Sequence, residues 1–179
     1  MAVRRKQIRE LVDSLLAKHN VKPGTVPVDK IVRAFEIEIR LDEVDEGLSG
    51  FLFRDKKTGR TVIGANKGHP RNRQRFTIAH ELGHFLLHEG EAIHLDEDQG
   101  AFTINRRDLK SAKGEDDGER EANLFAAELL MPAKFLDQEL QGKNVDLLDD
   151  DSLKRLANKY AVSVQALTFR LANLGYIKP

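Results

Sequence analysis

The chain has no cysteine among its 179 residues. No disulfide framework can brace it, and no thiol is available as nucleophile or metal ligand; that usage suits a cytoplasmic protein. It has no excess of charge either, with 29 basic residues against 29 acidic ones, so nothing global draws it to nucleic acid or to a membrane surface. An apolar run long enough to span a bilayer is missing. The first residues, MAVRRKQIRELVDSLLAKHN, are charged throughout and do not read as a signal peptide. Internal repeats and low-complexity segments are absent too. What remains is 40% hydrophobic and 32% charged, an ordinary soluble composition for one compact domain, or one domain with a small appendage.

Hydrophobic spacing organises the chain. Ile8, Leu11, Val12, Leu15 and Leu16 recur at helical intervals and predict an amphipathic helix over about residues 4–19. A connector, VKPGTVP, leads to a short helix from Asp29, read as its cap, to Phe35. IEIRL alternates like a strand. GFLF and TVIGA flank DKKTGR as a β-hairpin with Gly59 in the turn. A helix starts near Arg73 and carries RFTIAHELGHFLLH. The polar stretch that follows is broken by AFTI, read as a strand. A second strong helix runs from about Glu119 to Met131 and stops at Pro132. Residues 133–151 are mixed, and SLKRLANKYAVSVQALTFRLANLGYI reads as two helices with a tight turn.

Three histidines interrupt the apolar pattern of the first strong helix. At about 100° per residue, His80 and His84 lie one above the other on one face. Ile78, Ala79, Leu82, Phe85 and Leu86 take the opposite side and predict core. Two imidazoles one turn apart supply two zinc ligands, and Glu81 beside them can accept a proton from activated water; this is the HExxH pattern. Gly83 leaves room for another backbone or for substrate. A catalytic zinc needs a third protein ligand and an open position. His88 lies another turn on, about 6 Å beyond His84, too far to close the same tetrahedron, so it reads as a support behind the ligands or as structural. His69 and His94 fall in expected loops, where nothing sets their direction.

The third ligand is better sought in EREANLFAAELLMP. Ala122, Phe125, Ala126, Leu129 and Leu130 form its buried stripe. Glu119 lies on the stripe's edge with Asn123 one turn later, whereas the wheel sends Glu121 and Glu128 toward solvent. A carboxylate on a mostly apolar face needs a partner. A metal supplies one; an ion pair with an arginine such as Arg75 is the plainer alternative.

HELGH followed by EREANLFAAELLMP, together with SGFLF and RQRFTIAHELGHFLLH, closely resembles the ImmA/IrrE family of metallopeptidases over nearly the whole chain. The resemblance implies a minimal thermolysin-like zincin with His80, His84 and Glu119 on the metal and Glu81 as general base. Asn123 falls where related enzymes hold a ligand from behind. The implied cofactor is Zn²⁺, with Mn²⁺ as the alternative. The implied substrate is a helix-turn-helix repressor whose cleavage relieves repression. The expected fold is α+β, a mostly helical zincin-like core with a small antiparallel sheet over residues 1–145 and a helix-turn-helix-like segment over 146–179.

Around this reading stand weaker ones. The hairpin at 50–65 offers a sheet edge for an extended peptide. KGHPRNRQR is a basic loop for an anion or an acidic substrate segment, or simply a solvated helix start. In the C-terminal segment Ser163 is a candidate cap. The second helix there opens on SVQAL, which has little to read bases or phosphates. Its leucines explain the segment as core, and docking of a repressor is as good a use for it as DNA. Two rival functions follow: a metal-stabilised module that sequesters a repressor or antitoxin-like partner without cleaving it, and a DNA-binding regulator.

Overall fold

In the computed structural model, residues 3–43, 47–88, 93–97, 115–141 and 149–177 are described. They form seven helices and four strands: α1 (Arg5–Lys18), α2 (Val28–Arg33), β1 (Glu38–Asp42), β2 (Leu48–Arg54), β3 (Thr61–Asn66), α3 (Arg71–Leu87), β4 (Ile93–Glu97), α4 (Glu115–Leu130), α5 (Ala133–Leu140), α6 (Asp150–Tyr160) and α7 (Val164–Asn173). The class is α+β. Among the described residues no helix is long and apolar enough to cross a membrane.

Periodicity located most helices. In α1 the buried residues are Ile8, Val12, Leu15 and Leu16, one stripe at helical spacing. α2 begins at Val28 behind Pro27, so Asp29 sits inside the first turn rather than capping it. Pro27 occupies the N-cap position, and no side chain caps the helix. α3 likewise starts directly after Pro70, two residues before the expected Arg73. Ser163 does cap α7, its hydroxyl accepting from the Ala166 N–H at 3.1 Å. The segment after Pro132, within the stretch that the sequence reads as mixed, forms α5 and buries Phe135 and Leu136. AFTI lies outside the described residues.

The sheet departs from expectation. Its order is β1-β3-β2-β4. The hairpin is present, β2 antiparallel to β3 with Leu52 opposite Ile63, and Gly59 takes φ +73° in the turn. β3 also slots against β1, and that pairing is parallel, so the sheet is mixed rather than wholly antiparallel. β4 pairs antiparallel with β2. The hairpin therefore offers no edge: both its strands are interior, and among the described residues the edges are β1 and β4. β4 was missed because its sequence, IHLDE, is short and polar.

α3 lies across one face of the sheet. A methyl group on Gly50 would collide with Thr77 Cγ2 and stand 2.7 Å from the Gly64 carbonyl oxygen, so the absence of a side chain there lets helix and sheet close up. The core joins α1, α2, the sheet, α3, α4 and α5 with Leu153, Leu156, Leu167 and Leu171 of α6 and α7 in one cluster.

Candidate metal centre

α3 and α4 pack at close range because of Gly83. A Cβ on that residue would stand 3.1 Å from Ala122 Cα and 3.1 Å from Phe125 Cδ1; what comes close at Gly83 is the backbone of α4. The expected apolar stripe of α4, Ala122, Phe125, Ala126, Leu129 and Leu130, is fully buried. On α3, Ile78, Ala79 and Leu82 are buried, and Phe85 and Leu86 pack against the core from its margin. This packing turns the His80–His84 face of α3 toward the Glu119 end of α4.

The geometry there is tight. His80 Nε2 and His84 Nε2 are 3.0 Å apart. Glu119 reaches both, Oε2 lying 3.4 Å from His80 Nε2 and Oε1 lying 3.0 Å from His84 Nε2. A fourth group joins from the sheet: His94 Nε2 is 3.3 Å from Glu119 Oε1. One ligand atom from each of His80, His84, His94 and Glu119 lies within 4.8 Å of the others. Strand register explains His94. It stands opposite Leu52 on β2, and directly opposed residues of an antiparallel pair share a face. Leu52 is two residues from Gly50 and so shares the face that α3 covers.

These donors fit a small divalent cation. Ligands at about 2.0–2.2 Å in a tetrahedron stand about 3.3–3.5 Å from one another, close to the observed 3.0–3.4 Å. Imidazole nitrogens with a carboxylate form a set suited to zinc. Burial pushes the His84 imidazole down to about 4, against a raising contact with Glu119, so it stays neutral and keeps a lone pair to share. For Glu119, burial raises the carboxyl pKa, but its contacts with His80, His84 and His94 more than reverse this and hold it far below the usual range. Glu119 remains 40% exposed, so the cluster opens to solvent on its side. Glu81, the residue after His80, is completely buried.

The surrounding residues fall into place one by one. Asn123 Oδ1 is 3.1 Å from His80 Nδ1. His88 Nδ1 is 3.2 Å from His84 Nδ1, and its Nε2 is 3.2 Å from Glu121 Oε2. Arg54, at the end of β2, donates to the carbonyls of His84 (2.8 Å) and His88 (3.0 Å). That arginine answers the orphan carbonyls and negative dipole end of α3, and no local sequence signal pointed to it. His69 stays outside the four-residue cluster; its carbonyl accepts from Gln74. Arg75 does not pair with Glu119 but donates to the Val26 carbonyl.

Glu121 and Glu128 are corrections. Both are buried, not solvent-facing. Arg4 binds Glu121 through Nη2 at 2.6 Å, and that contact chiefly holds its carboxyl down at about 2. Glu128 lies between Arg170 (2.6 Å) and Arg9 (3.2 Å). The wheel assumed one buried face, whereas α4 is enclosed by α3 on one side and by α1 and α7 on others.

A family model described as the IrrE N-terminal-like domain, a peptidase family, matches residues 33–172. The metallopeptidase ImmA of Bacillus subtilis (strain 168) is 28% identical over 171 residues, covering 95% of this chain and 87% of that protein.

Proposed function

This chain belongs to the IrrE N-terminal-like peptidase family and is a metallopeptidase, and from that premise we propose that it is a zinc-dependent endopeptidase whose substrate is a cytoplasmic helix-turn-helix repressor. The observation that carries the site assignment is the convergence of His80, His84 and Glu119 from two helices at metal-ligand separations, with buried Glu81 adjoining in sequence. His80, His84 and Glu119 hold the ion, and Mn²⁺ is the alternative occupant. His94 is left out of the ligand set because a catalytic zinc keeps one position for water.

A zinc ion held by these residues would supply Lewis acidity toward the scissile carbonyl and would bring the pKa of water down to about 7. Glu81 accepts the water's proton on its carboxylate and passes it to the leaving amine nitrogen. His94 faces the cluster from β4 and donates a hydrogen bond where negative charge develops on the carbonyl oxygen. Asn123 and His88 hold the two histidine ligands from behind. The substrate chain lies extended along the side of β4 that is left unpaired among the described residues, and pairs with it as an added strand. Phe76, 6.2 Å from the His80 ring, lines a cleft of about 200 Å³ with Arg73, Leu130, Met131, Val162 and Ala166, which takes an apolar side chain.

The repressor as substrate rests on the likeness to the ImmA/IrrE metallopeptidases. A DNA role for α6 and α7 is disfavoured by Arg170, whose guanidinium is committed to Glu128 and to the Met131 carbonyl. The test is co-expression with a neighbouring repressor, followed on gels and by mass spectrometry. Zinc-dependent fragments are expected with wild type and none with Glu81→Gln, which still binds zinc and partner. Equal inactivation of the repressor by Glu81→Gln would establish sequestration instead. His94→Ala is expected to retain stoichiometric zinc while turnover falls; loss of the zinc would make His94 a ligand.

A further inference from the structure

We propose that Arg4, Glu121 and His88 form a positioning chain that sets the tautomer of His84 and turns its Nε2 lone pair toward the metal. The proposal deepens the metal-site reading above and rests on it.

The contacts run in series from the N-terminal segment to the cluster. Arg4 donates to Glu121 from its backbone N–H (2.9 Å to Oε1), from Nε (3.0 Å to Oε1) and from Nη2 (2.6 Å to Oε2). The same Nη2 also reaches the Leu87 carbonyl at 3.1 Å, so Arg4 ties α4 to the end of α3. Glu121 Oε2 meets His88 Nε2 at 3.2 Å, and His88 Nδ1 meets His84 Nδ1 at 3.2 Å. Beyond His84 lie His80 and Glu119, both on the Nε2 side.

Donor and acceptor roles follow from one end. A carboxylate already bound to an arginine can only accept. His88 must therefore carry its proton on Nε2 and donate it to Glu121. A neutral imidazole protonated at Nε2 has its lone pair at Nδ1, so His88 accepts at Nδ1. His84 must then be the donor of the pair, with the proton on Nδ1. Its Nε2 is left bare, which is the form that binds a metal. Without Glu121 to set the direction, the His84–His88 bond could run the other way, and His84 Nε2 would carry a proton that an incoming ion must displace.

The two histidines are thus held differently. His80 needs one partner, Asn123, from the neighbouring turn of α4. His84 needs three residues in line, the last of them before α1. Arg4 lies outside residues 33–172, the span that the family model matches, so a segment beyond that span reaches a ligand of the candidate centre.

The test compares full-length wild type with Glu121→Gln, His88→Phe and Arg4→Gln. Zinc affinity is measured by competition with a chromogenic chelator, and histidine tautomers by ¹⁵N side-chain NMR of zinc-loaded protein, because without the ion the Glu119 carboxylate 3.0 Å away draws a proton onto His84 Nε2. Wild type is expected to show His84 protonated at Nδ1 and His88 at Nε2. Glu121→Gln should mix the two His88 tautomers and weaken zinc by about 10–100-fold. His88→Phe, which keeps the ring volume, should weaken zinc to a similar degree, and Arg4→Gln should do so less. Zinc binding at wild-type strength in both Glu121→Gln and His88→Phe, or an Nδ1-protonated His88 in zinc-loaded wild type, overturns the chain. Failure of wild type to bind zinc, or undiminished binding by His84→Ala, overturns the metal site itself, so the two failures are separable.

Discussion

Glu119 and Glu128 stand toward opposite ends of α4, and both meet charged or polar partners inside the fold. Glu128 is 3% exposed and Arg170, its partner at 2.6 Å, is 4% exposed; Arg9 adds a second guanidinium. That end is complete, since the positive charges it needs come from the chain itself. At the other end, among the described residues, Glu119 faces three imidazoles and no arginine or lysine. Neutral imidazoles offer lone pairs as readily as protons, and lone pairs directed at a carboxylate call for a cation between them. Burial alone does not mark a site: the enclosed carboxylate is Glu128, while Glu119 stays 40% exposed, and what sets Glu119 apart is that its partners bring no fixed positive charge.

The contrast can be broken experimentally, and the largest effect concerns a third acid. Glu81→Gln should lower peptide-bond cleavage by about 10²–10⁴-fold with zinc content unchanged; cleavage near wild-type rate would remove Glu81 from the chemistry. Next come the two ends of α4. Glu128→Ala strands a buried arginine and should cost about 3–5 kcal/mol of stability, read as a lower denaturation midpoint with zinc still bound per folded molecule. Glu119→Ala should do the reverse, losing zinc while the metal-free midpoint moves less. Similar midpoint losses for both would mean that the ends do not differ. Gly83→Ala presses a methyl against the Ala122 backbone and should cost about 1–3 kcal/mol. It also shifts Glu119 relative to the histidines, so weaker chelator-competed zinc binding is expected, whereas Gly68→Ala at an exposed turn leaves zinc untouched.

The smallest effect is one of pH. In metal-free protein His84 titrates at about 4, below its ordinary 6.5. As pH falls, the unfolded chain takes up that proton first, so the folded state loses ground. The contribution is whole above about 6.5 and declines toward 4. Denaturation midpoints across that window should fall in wild type and fall less steeply in His84→Ala; parallel curves would contradict the depressed value.

Several features could be read before any coordinates. Helical spacing placed α1, α3 and α4, and the stripe Ala122, Phe125, Ala126, Leu129 and Leu130 put Glu119 on the edge that meets His80 and His84. Spacing within one turn is local, so the shared face of His80 and His84 is legible directly. The errors share a cause. Glu121 and Glu128 were sent to solvent because a wheel knows one helix, and their partners Arg4, Arg9 and Arg170 lie far along the chain. His94 had no direction because a short polar strand has no periodic signature until its register with β2 is known. The hairpin was credited with an edge because β1 and β4 pair through contacts that hydrophobic pattern does not encode.

By itself, then, the sequence determined the helix that carries two imidazoles and an acid, the buried stripe opposite it, and the family likeness, since all three depend on order and spacing along a few turns. Only the tertiary structure decided which carboxylate of α4 is met by arginines and which by histidines, that His94 joins the cluster, and that Arg4 connects to it through Glu121 and His88. Those outcomes depend on distances between segments that the chain order leaves free, and packing around α4 is what settles them.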